Sequence, residues 1–143
     1  MGKVGDEDRF ERGLALRKDV LGASYVENAM AQADDFTRPM QELSTSYCWG
    51  EIWSRPGLSR RERSLLNLGM ISALNRPHEL RLHVKAARRN GLTNEEIREA
   101  LLQLAVYCGI PAGIDSTRIA AEALAEYEAE LASAGPSVGE RPE

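Results

Sequence analysis

Glu79 and His83 are the residues of this chain whose types and spacing best suit acid–base chemistry. They lie four positions apart in residues 76–91, which read as one helix, so both side chains project from the same helical face. A histidine exchanges a proton near neutral pH, and a glutamate one turn away can fix its tautomer or raise its pKa. The alternative is a surface pair that contributes roughly 0.2–0.5 kcal/mol to the helix.

Two arginines suit the binding of an anionic substrate, because a guanidinium can hold a carboxylate through two parallel hydrogen bonds. Arg55 opens a turn with Pro56 and Gly57, and Arg63 lies at the N-terminal end of an apolar helix. Either arginine can equally be a solvated surface charge. The sequence carries no nucleotide-binding, zinc-protease or serine-hydrolase motif. The pattern therefore favours cofactor-independent acid–base catalysis on an anionic substrate.

Composition narrows the class of protein. Lys and Arg total 18 against 22 Asp and Glu, a formal net charge of −4, which argues against a nucleic-acid binder with a basic face. No apolar run approaches the roughly 18 residues that a membrane helix needs. Cys48 and Cys108 match no CxxC or zinc-site spacing. We interpret them as reduced thiols of a cytoplasmic protein that has no metal site.

Apolar residues recur with helical spacing, and no segment alternates with period two for long enough to form a strand. The sequence predicts an all-α protein of five to seven helices, with one domain over residues 1–132 and a disordered tail over residues 133–143. Ser59 with Glu62, and Thr93 with Glu96, form capping boxes. The first box opens a helix that is apolar on all faces, so we expect it to be buried, in part by another subunit.

Trp49 and Trp53 lie four positions apart in the segment YCWGEIW, so their rings can stack on one helical face. Aromatic residues favour protein cores and subunit interfaces alike, and either place suits this pair. Trp53 is also a candidate to contact a substrate, beside Arg55.

Longer motifs in the same region resemble a known family. The run from Tyr47 to Ser59, YCWGEIWSRPGLS, is similar to the opening segment of the 4-carboxymuconolactone decarboxylases. The continuation RERSLLNLGMISALNRPHELRLHVKAARRNGLTNEEIREALLQLAVYCGIPA resembles that family as well, and so does RGLALRKDVLGASYVENA nearer the N-terminus. The similarity extends over residues 12–126 without a large gap.

This resemblance implies an all-helical fold of the alkylhydroperoxidase-D-like superfamily, assembled as a homo-oligomer, a hexamer or a trimer. It implies loss of CO2 from an anionic lactone, 4-carboxymuconolactone, to give 3-oxoadipate enol-lactone in protocatechuate degradation, without a cofactor. Carried onto this sequence, His83 is the proton donor or the oxyanion partner, and Glu79 orients it. Arg55 and Arg63 hold the substrate carboxylates.

Residues 113–117 depart from that family's pattern. Ile114 stands where the family usually has an asparagine, and Thr117 where it has an aromatic residue. Two further interpretations therefore stay open: a relative that acts on another carboxylated lactone, and a non-catalytic oligomer that binds a small acid. Thiol peroxidase chemistry, known in the superfamily, is disfavoured because Arg76 and Glu79 replace the two cysteines that it needs.

Overall fold

Helices form most of residues 4–135, the part of the chain that the computed structural model describes. The all-α prediction is confirmed: these residues contain seven α-helices and no strand, and the third helix continues into a π-helical segment. In chain order the elements are α1 (Val4–Leu21), α2 (Ala23–Ala31), α3 (Arg38–Leu43), the π segment (Ser44–Trp53), α4 (Arg60–Ala73), α5 (Pro77–Arg89), α6 (Asn94–Cys108) and α7 (Ile110–Ser133). Residues 1–3 and most of the expected tail, from position 136 onward, lie outside the described residues.

Local capping signals determine where several helices begin and end. The Ser59 hydroxyl accepts a hydrogen bond from the Glu62 backbone N–H, and the Glu62 carboxylate accepts one from the Ser59 N–H. Thr93 and Glu96 repeat this arrangement at the start of α6, so both predicted capping boxes are confirmed. Gly109 has a φ of 111°, a conformation that other residues rarely adopt, and it separates α6 from α7.

Two apolar clusters form the interior, and α5 contributes to both. The first cluster lies among α4, α5, α6 and α7 and includes Leu68 and Val84. The second lies among α1, α2, the π segment and α5, and includes Val20, Trp49 and Ala86. Because Val84 and Ala86 of α5 face different clusters, the helix that carries His83 is held from two sides.

The backbones of α1 and the π segment approach each other at two glycines. A Cβ atom on Gly13 would overlap the carbonyl oxygen of Thr45 and lie 2.7 Å from the Gly50 nitrogen. A Cβ atom on Gly50 would overlap the carbonyl oxygen of Arg9. Since the atoms in the way belong to the backbone, they cannot rotate aside as a side chain can, and both positions require glycine.

A buried arginine also ties α1 to this region. The Arg17 guanidinium donates a hydrogen bond to Thr45 Oγ1 at 3.1 Å and lies 3.8 Å from the sulfur of Met30. Thr45 Oγ1 donates in turn to the Gln41 carbonyl at 2.7 Å, next to the point where α3 becomes π-helical. Burial lowers the pKa of Arg17 because it penalises the charged form. Neutral partners therefore hold this cation inside the fold.

The outer surface of α5 and α7 is charged. Arg81 pairs with Glu122 and Glu126, and Lys85 pairs with Glu126 and Glu130. These ion pairs are exposed, so each one contributes little to stability, but together they make this surface a solvated one.

The α4 helix has a different surface, and the prediction that it is buried on all faces is wrong for the single chain. Leu66, Met70 and Leu74 follow one another at helical spacing and are 51%, 51% and 65% exposed. Val106 at the end of α6 and Ile114 near the start of α7 are exposed as well. Apolar surface of this extent is typical of a site of association.

Cys48 is half-buried, Cys108 is exposed, and both are free thiols as predicted. The cytoplasmic location stays a prediction. Within residues 4–135, none of the helices combines the length and the apolar character that crossing a bilayer requires.

We expect Gly13→Ala to lower the free energy of unfolding by about 2 kcal/mol or more, because the added methyl group meets backbone atoms. Gly50→Ala should lower it similarly from the other side of the contact. Urea unfolding followed by circular dichroism measures both changes.

Gly69→Ala is the matched control, since Gly69 lies inside α4 and its Cβ position has no neighbouring atom within 4 Å. Alanine should stabilise the chain there by about 0.5–1 kcal/mol. Equal losses of stability from all three substitutions would contradict close backbone packing as the cause.

Candidate active site

His83 lies half-buried on α5, against the aromatic pair of the π segment. Its ring is nearly parallel to the Trp49 ring, with 2° between the planes and 6.4 Å between the centroids. The Trp53 ring lies 6.5 Å away at 29°. The two indoles stack on each other with centroids 4.8 Å apart, so the predicted stacking is confirmed. The indoles form an apolar wall beside the imidazole.

Asn67, on α4, is the hydrogen-bond partner of His83 among the described residues. Its side-chain Nδ2 lies 3.4 Å from Nδ1 of the imidazole, a long hydrogen bond. Sequence reasoning missed Asn67. The available signal was its position four residues after Arg63, which places both side chains on the same face of α4.

Burial has the largest effect on the pKa of His83. Removal of water from around the ring penalises the imidazolium and lowers the pKa of His83 from its ordinary value of 6.5 to about 4. The carboxylate of Glu79 raises the pKa, as the sequence suggests, but burial is the larger effect. The ring is therefore neutral at pH 7.

Glu79 is exposed on the first turn of α5. Within residues 4–135 no hydrogen bond joins the Glu79 carboxylate to His83, whose partner is Asn67. Glu79 acts on the ring through its charge. Its expected role in orienting the imidazole stays a prediction.

Arg55 and Arg63 meet through the backbone. The Arg63 guanidinium donates from Nη2 to the Arg55 carbonyl oxygen at 3.2 Å, which fastens α4 to the turn before it. Arg63 Nε is buried and has no hydrogen-bond partner among residues 4–135. The Arg55 residue is exposed. Arg63 is thus the better-placed of the two to offer a partly buried cation.

An open cleft of about 370 Å³ lies between α1 and the end of the π segment. Arg12 and Arg60 line it, together with Asp19 and Trp53. Arg60 pairs with Asp19 at 3.5 Å. Sequence reasoning missed these arginines, which only the tertiary fold brings together. Trp53 faces this cleft as well as His83, so its indole lies between the two.

The His83 imidazole lies beside the wall of indoles, the Asn67 amide is bonded to that imidazole, and guanidinium groups lie on neighbouring elements. Within residues 4–135, no group of three or more His, Cys, Asp or Glu side chains is placed to hold a metal ion. The site can donate hydrogen bonds to an anion from His83 and can attract that anion with arginine charge.

The segment that departs from the resembled family lies elsewhere. Ile114 and Thr117 line an apolar hollow of about 500 Å³ between α6 and α7, with Leu102 among their neighbours. His83 and Arg63 do not line this hollow. Within the single chain, the altered residues are therefore part of a surface separate from the imidazole.

Comparison with known proteins finds a matching family and named relatives. The family model described as "Carboxymuconolactone decarboxylase family" matches residues 38–122. The chain is 54% identical over 107 residues to "Nitrosuccinic acid decarboxylase npaB" of Metarhizium robertsii, and the alignment covers 75% of each chain. It is 39% identical over 119 residues to the 4-carboxymuconolactone decarboxylase of Acinetobacter baylyi, with 83% of this chain and 89% of the relative covered.

We expect His83 to titrate with a midpoint near pH 4, because burial disfavours the imidazolium. Nuclear magnetic resonance of the His78→Gln variant measures this midpoint directly, since His83 is then the only histidine of the chain. A midpoint at or above 6.5 would show that burial does not control the ring.

The same shift makes stability depend on pH. Between pH 4 and 6.5 the unfolded chain binds a proton on His83 and the folded chain does not, so the free energy of unfolding rises with pH. The rise is on the order of 3 kcal/mol for this residue. His83→Gln should remove that part of the pH dependence. An unchanged slope in His83→Gln would assign the whole effect to other groups.

Proposed function

Because this chain belongs to the carboxymuconolactone decarboxylase family, we propose that it removes CO2 from a small dicarboxylic acid whose carbanion is stabilised as an oxyanion. The reaction class follows from the family and from the names of both relatives: the chain is a carboxy-lyase. The observation that carries the proposal is the neutral imidazole of His83 beside two stacked indoles, inside the matched family segment.

Nitrosuccinic acid is the substrate that we propose first. The identity to the Metarhizium robertsii decarboxylase, 54%, exceeds the 39% identity to the 4-carboxymuconolactone decarboxylase of Acinetobacter baylyi. The second candidate is 4-carboxymuconolactone, with protocatechuate degradation as its pathway. It is favoured by the alignment of that bacterial enzyme with 83% of this chain. Another carboxylated lactone is the third candidate.

The two named acids place the same demand on an enzyme. In nitrosuccinic acid, the bond between the nitro-bearing carbon and its carboxylate breaks, CO2 leaves, and the electron pair moves onto the nitro oxygens. In 4-carboxymuconolactone, the leaving carboxylate is conjugated through a C=C bond to the lactone carbonyl, and the pair moves onto that oxygen. Each anion then gains one proton at carbon. A hydrogen-bond donor aimed at the oxygen that gains charge lowers the barrier of the first step.

His83 is the group that we propose to act on the reacting end of the substrate, either as that hydrogen-bond donor or as the proton donor. Its burial beside Trp49 and Trp53 supports this role, because hydrogen bonds to charge are stronger where water is excluded. Glu79 is proposed to tune the ring through its charge.

Arg63 is the residue that we propose to bind the carboxylate that stays on the substrate. Arg63 is half-buried and its guanidinium makes one hydrogen bond, to the Arg55 carbonyl oxygen, so further N–H groups remain to hold a carboxylate through charge-assisted hydrogen bonds. Arg55 and Trp53 keep their proposed substrate contacts. Arg55 meets Arg63 through its carbonyl oxygen, and Trp53 lies against His83.

We also propose that the chain forms a homo-oligomer, a hexamer or a trimer. The stripe of Leu66, Met70 and Leu74 exposes apolar area on α4, and the hollow between α6 and α7 exposes more. Burial of such apolar area is the main favourable contribution to protein association. The ion pairs along α5 and α7 leave that surface suited to water instead.

Purified protein should release CO2 from nitrosuccinic acid, and His83→Ala should lower kcat/KM by a factor of roughly 100 or more. The loss is expected because the substitution removes the one imidazole that faces the indoles. Parallel assays with 4-carboxymuconolactone, followed by ultraviolet absorbance, decide which acid is preferred. Failure of the folded wild-type protein to turn over either acid would overturn the proposed substrates.

His78→Ala is the control for the loss of a histidine, since His78 is exposed on the same helix. It should keep the wild-type rate. In the same assay, Arg63→Gln should raise KM by roughly 10- to 100-fold, as expected for a lost charge-assisted hydrogen bond. Arg98→Gln, in a surface ion pair on α6, should leave KM unchanged. An unchanged KM in Arg63→Gln would remove that arginine from the site.

Light scattering at micromolar concentration should give a mass of at least three chains. Met70→Glu should lower this mass, because it places a charge in the apolar stripe of α4 without filling or emptying the core. Circular dichroism shows whether the variant stays folded. A wild-type protein that is monomeric under these conditions would contradict the proposed assembly.

A further inference from the structure

We infer that Asn67 is a positioning residue that keeps the proton of the neutral His83 ring on Nε2. His83 then binds the oxyanion as a hydrogen-bond donor and does not supply the proton that reaches carbon. The catalytic part of this inference rests on the proposed function, whereas the tautomer is a property of the free protein.

The direction of the hydrogen bond between Asn67 and His83 determines the tautomer. An amide nitrogen carries two hydrogens and can only donate. Asn67 Nδ2 faces Nδ1 of the ring at 3.4 Å, so Nδ1 accepts and carries no hydrogen. A neutral imidazole has one N–H, which must then be on Nε2.

The surroundings of the ring keep this arrangement in place. The Trp49 ring lies 2° from parallel with the imidazole, with 6.4 Å between the centroids, so an apolar surface flanks the ring on that side. Nδ1 and Nε2 point to different sides of the ring, so Nε2 is directed away from Asn67. Nε2 of His83 has no hydrogen-bond partner among the described residues. Nε2 is also not a buried atom, so it keeps contact with solvent. Nε2 is therefore the ring nitrogen that a substrate can reach.

Charges around the ring agree with a neutral donor. Glu79, on the same helix, is the charged group that acts on His83, and it favours the imidazolium. The neighbours from the other elements, Asn67 on α4 and Trp49 and Trp53 on the π segment, are uncharged. Burial among them outweighs the glutamate.

A neutral ring held in this way has one role open to it. It can donate Nε2–H to the oxygen that gains charge as the C–C bond breaks and CO2 leaves. Transfer of that hydrogen would leave an imidazolate, a far stronger base than the nitronate or dienolate that would receive it. The proton that bonds to carbon is instead taken up from the solvent as hydronium or buffer acid, so the substrate carboxylate and one proton give CO2 and the product protonated at carbon.

The tautomer is measured by nitrogen-15 magnetic resonance of the His78→Gln protein with labelled histidine, at pH 7 and without substrate. We expect Nδ1 to show the chemical shift of an unprotonated imidazole nitrogen and Nε2 that of a protonated one. The reverse assignment would mean that the Asn67 carbonyl faces the ring, and it would overturn the inference. An imidazolium at pH 7 would overturn it as well.

Asn67→Asp tests the positioning role, because a carboxylate of the same shape can only accept a hydrogen bond. The proton of the neutral ring should move to Nδ1, and the pKa of His83 should rise. Below that raised pKa the imidazolium still carries Nε2–H, and above it Nε2 is bare. The rate of Asn67→Asp should therefore fall roughly 100-fold as pH rises through the new pKa, whereas the wild-type rate stays flat from pH 6 to 8.

Asn67→Leu, which has a similar size and no hydrogen-bonding group, is the matched variant. It should give a mixture of tautomers and a smaller loss of rate with no such pH dependence. A wild-type rate that falls above pH 6, or matching pH profiles for Asn67→Asp and Asn67→Leu, would overturn the positioning role. If neither acid is turned over, the proposed function fails, while the tautomer result stands by itself.

Discussion

The close approach of α1 and the π segment is the contact on which the rest of the site depends. Because Gly13 and Gly50 lack side chains, the two backbones touch, and the π segment cannot move away from α1 without losing that packing. Trp49 and Trp53 are thereby held in the second apolar cluster, where they meet α5. The same contact places their indoles beside His83 and keeps water from that side of the ring. π-Helical turns are rare and often occur at functional sites, which fits this position.

Desolvation then decides what the imidazole can do. A carboxylate one turn away favours the imidazolium, burial favours the neutral ring, and burial is the larger effect. A neutral donor aimed at an oxygen that gains charge during the reaction stabilises the transition state more than the bound substrate. Attraction of the substrate must then come from another group, and Arg63 offers a permanent charge for it. The proposed mechanism therefore gives substrate binding to a residue of α4 and rate acceleration to a residue of α5.

Features set by near neighbours in the chain could be predicted from the sequence, and features set by distant neighbours could not. Both capping boxes and the stacking of Trp49 on Trp53 follow from spacings of three and four residues, and the structure has them. Asn67 meets His83 across sixteen positions, so no local pattern indicated the contact. The α4 helix was expected to be buried because its pattern is apolar all round. A single chain of this size leaves Leu66 and Met70 at the surface, since the first apolar cluster, on one side of α4, already uses its inward positions.

The position of residues 113–117 limits how they can influence the choice of acid. Ile114 and Thr117 differ from the family pattern, yet they line a hollow to which His83 and Arg63 do not contribute. Within one chain, the difference at Ile114 and Thr117 therefore leaves unchanged His83, the proposed hydrogen-bond donor to the reacting end of the substrate. The difference at Ile114 and Thr117 can change selectivity only in an assembly in which the hollow of one subunit lies against the site of its neighbour. Exposed apolar surfaces such as this hollow are the ones that assembly would bury. Chemistry and substrate choice would then lie on separate surfaces, so relatives could share the imidazole and differ in the acid they accept.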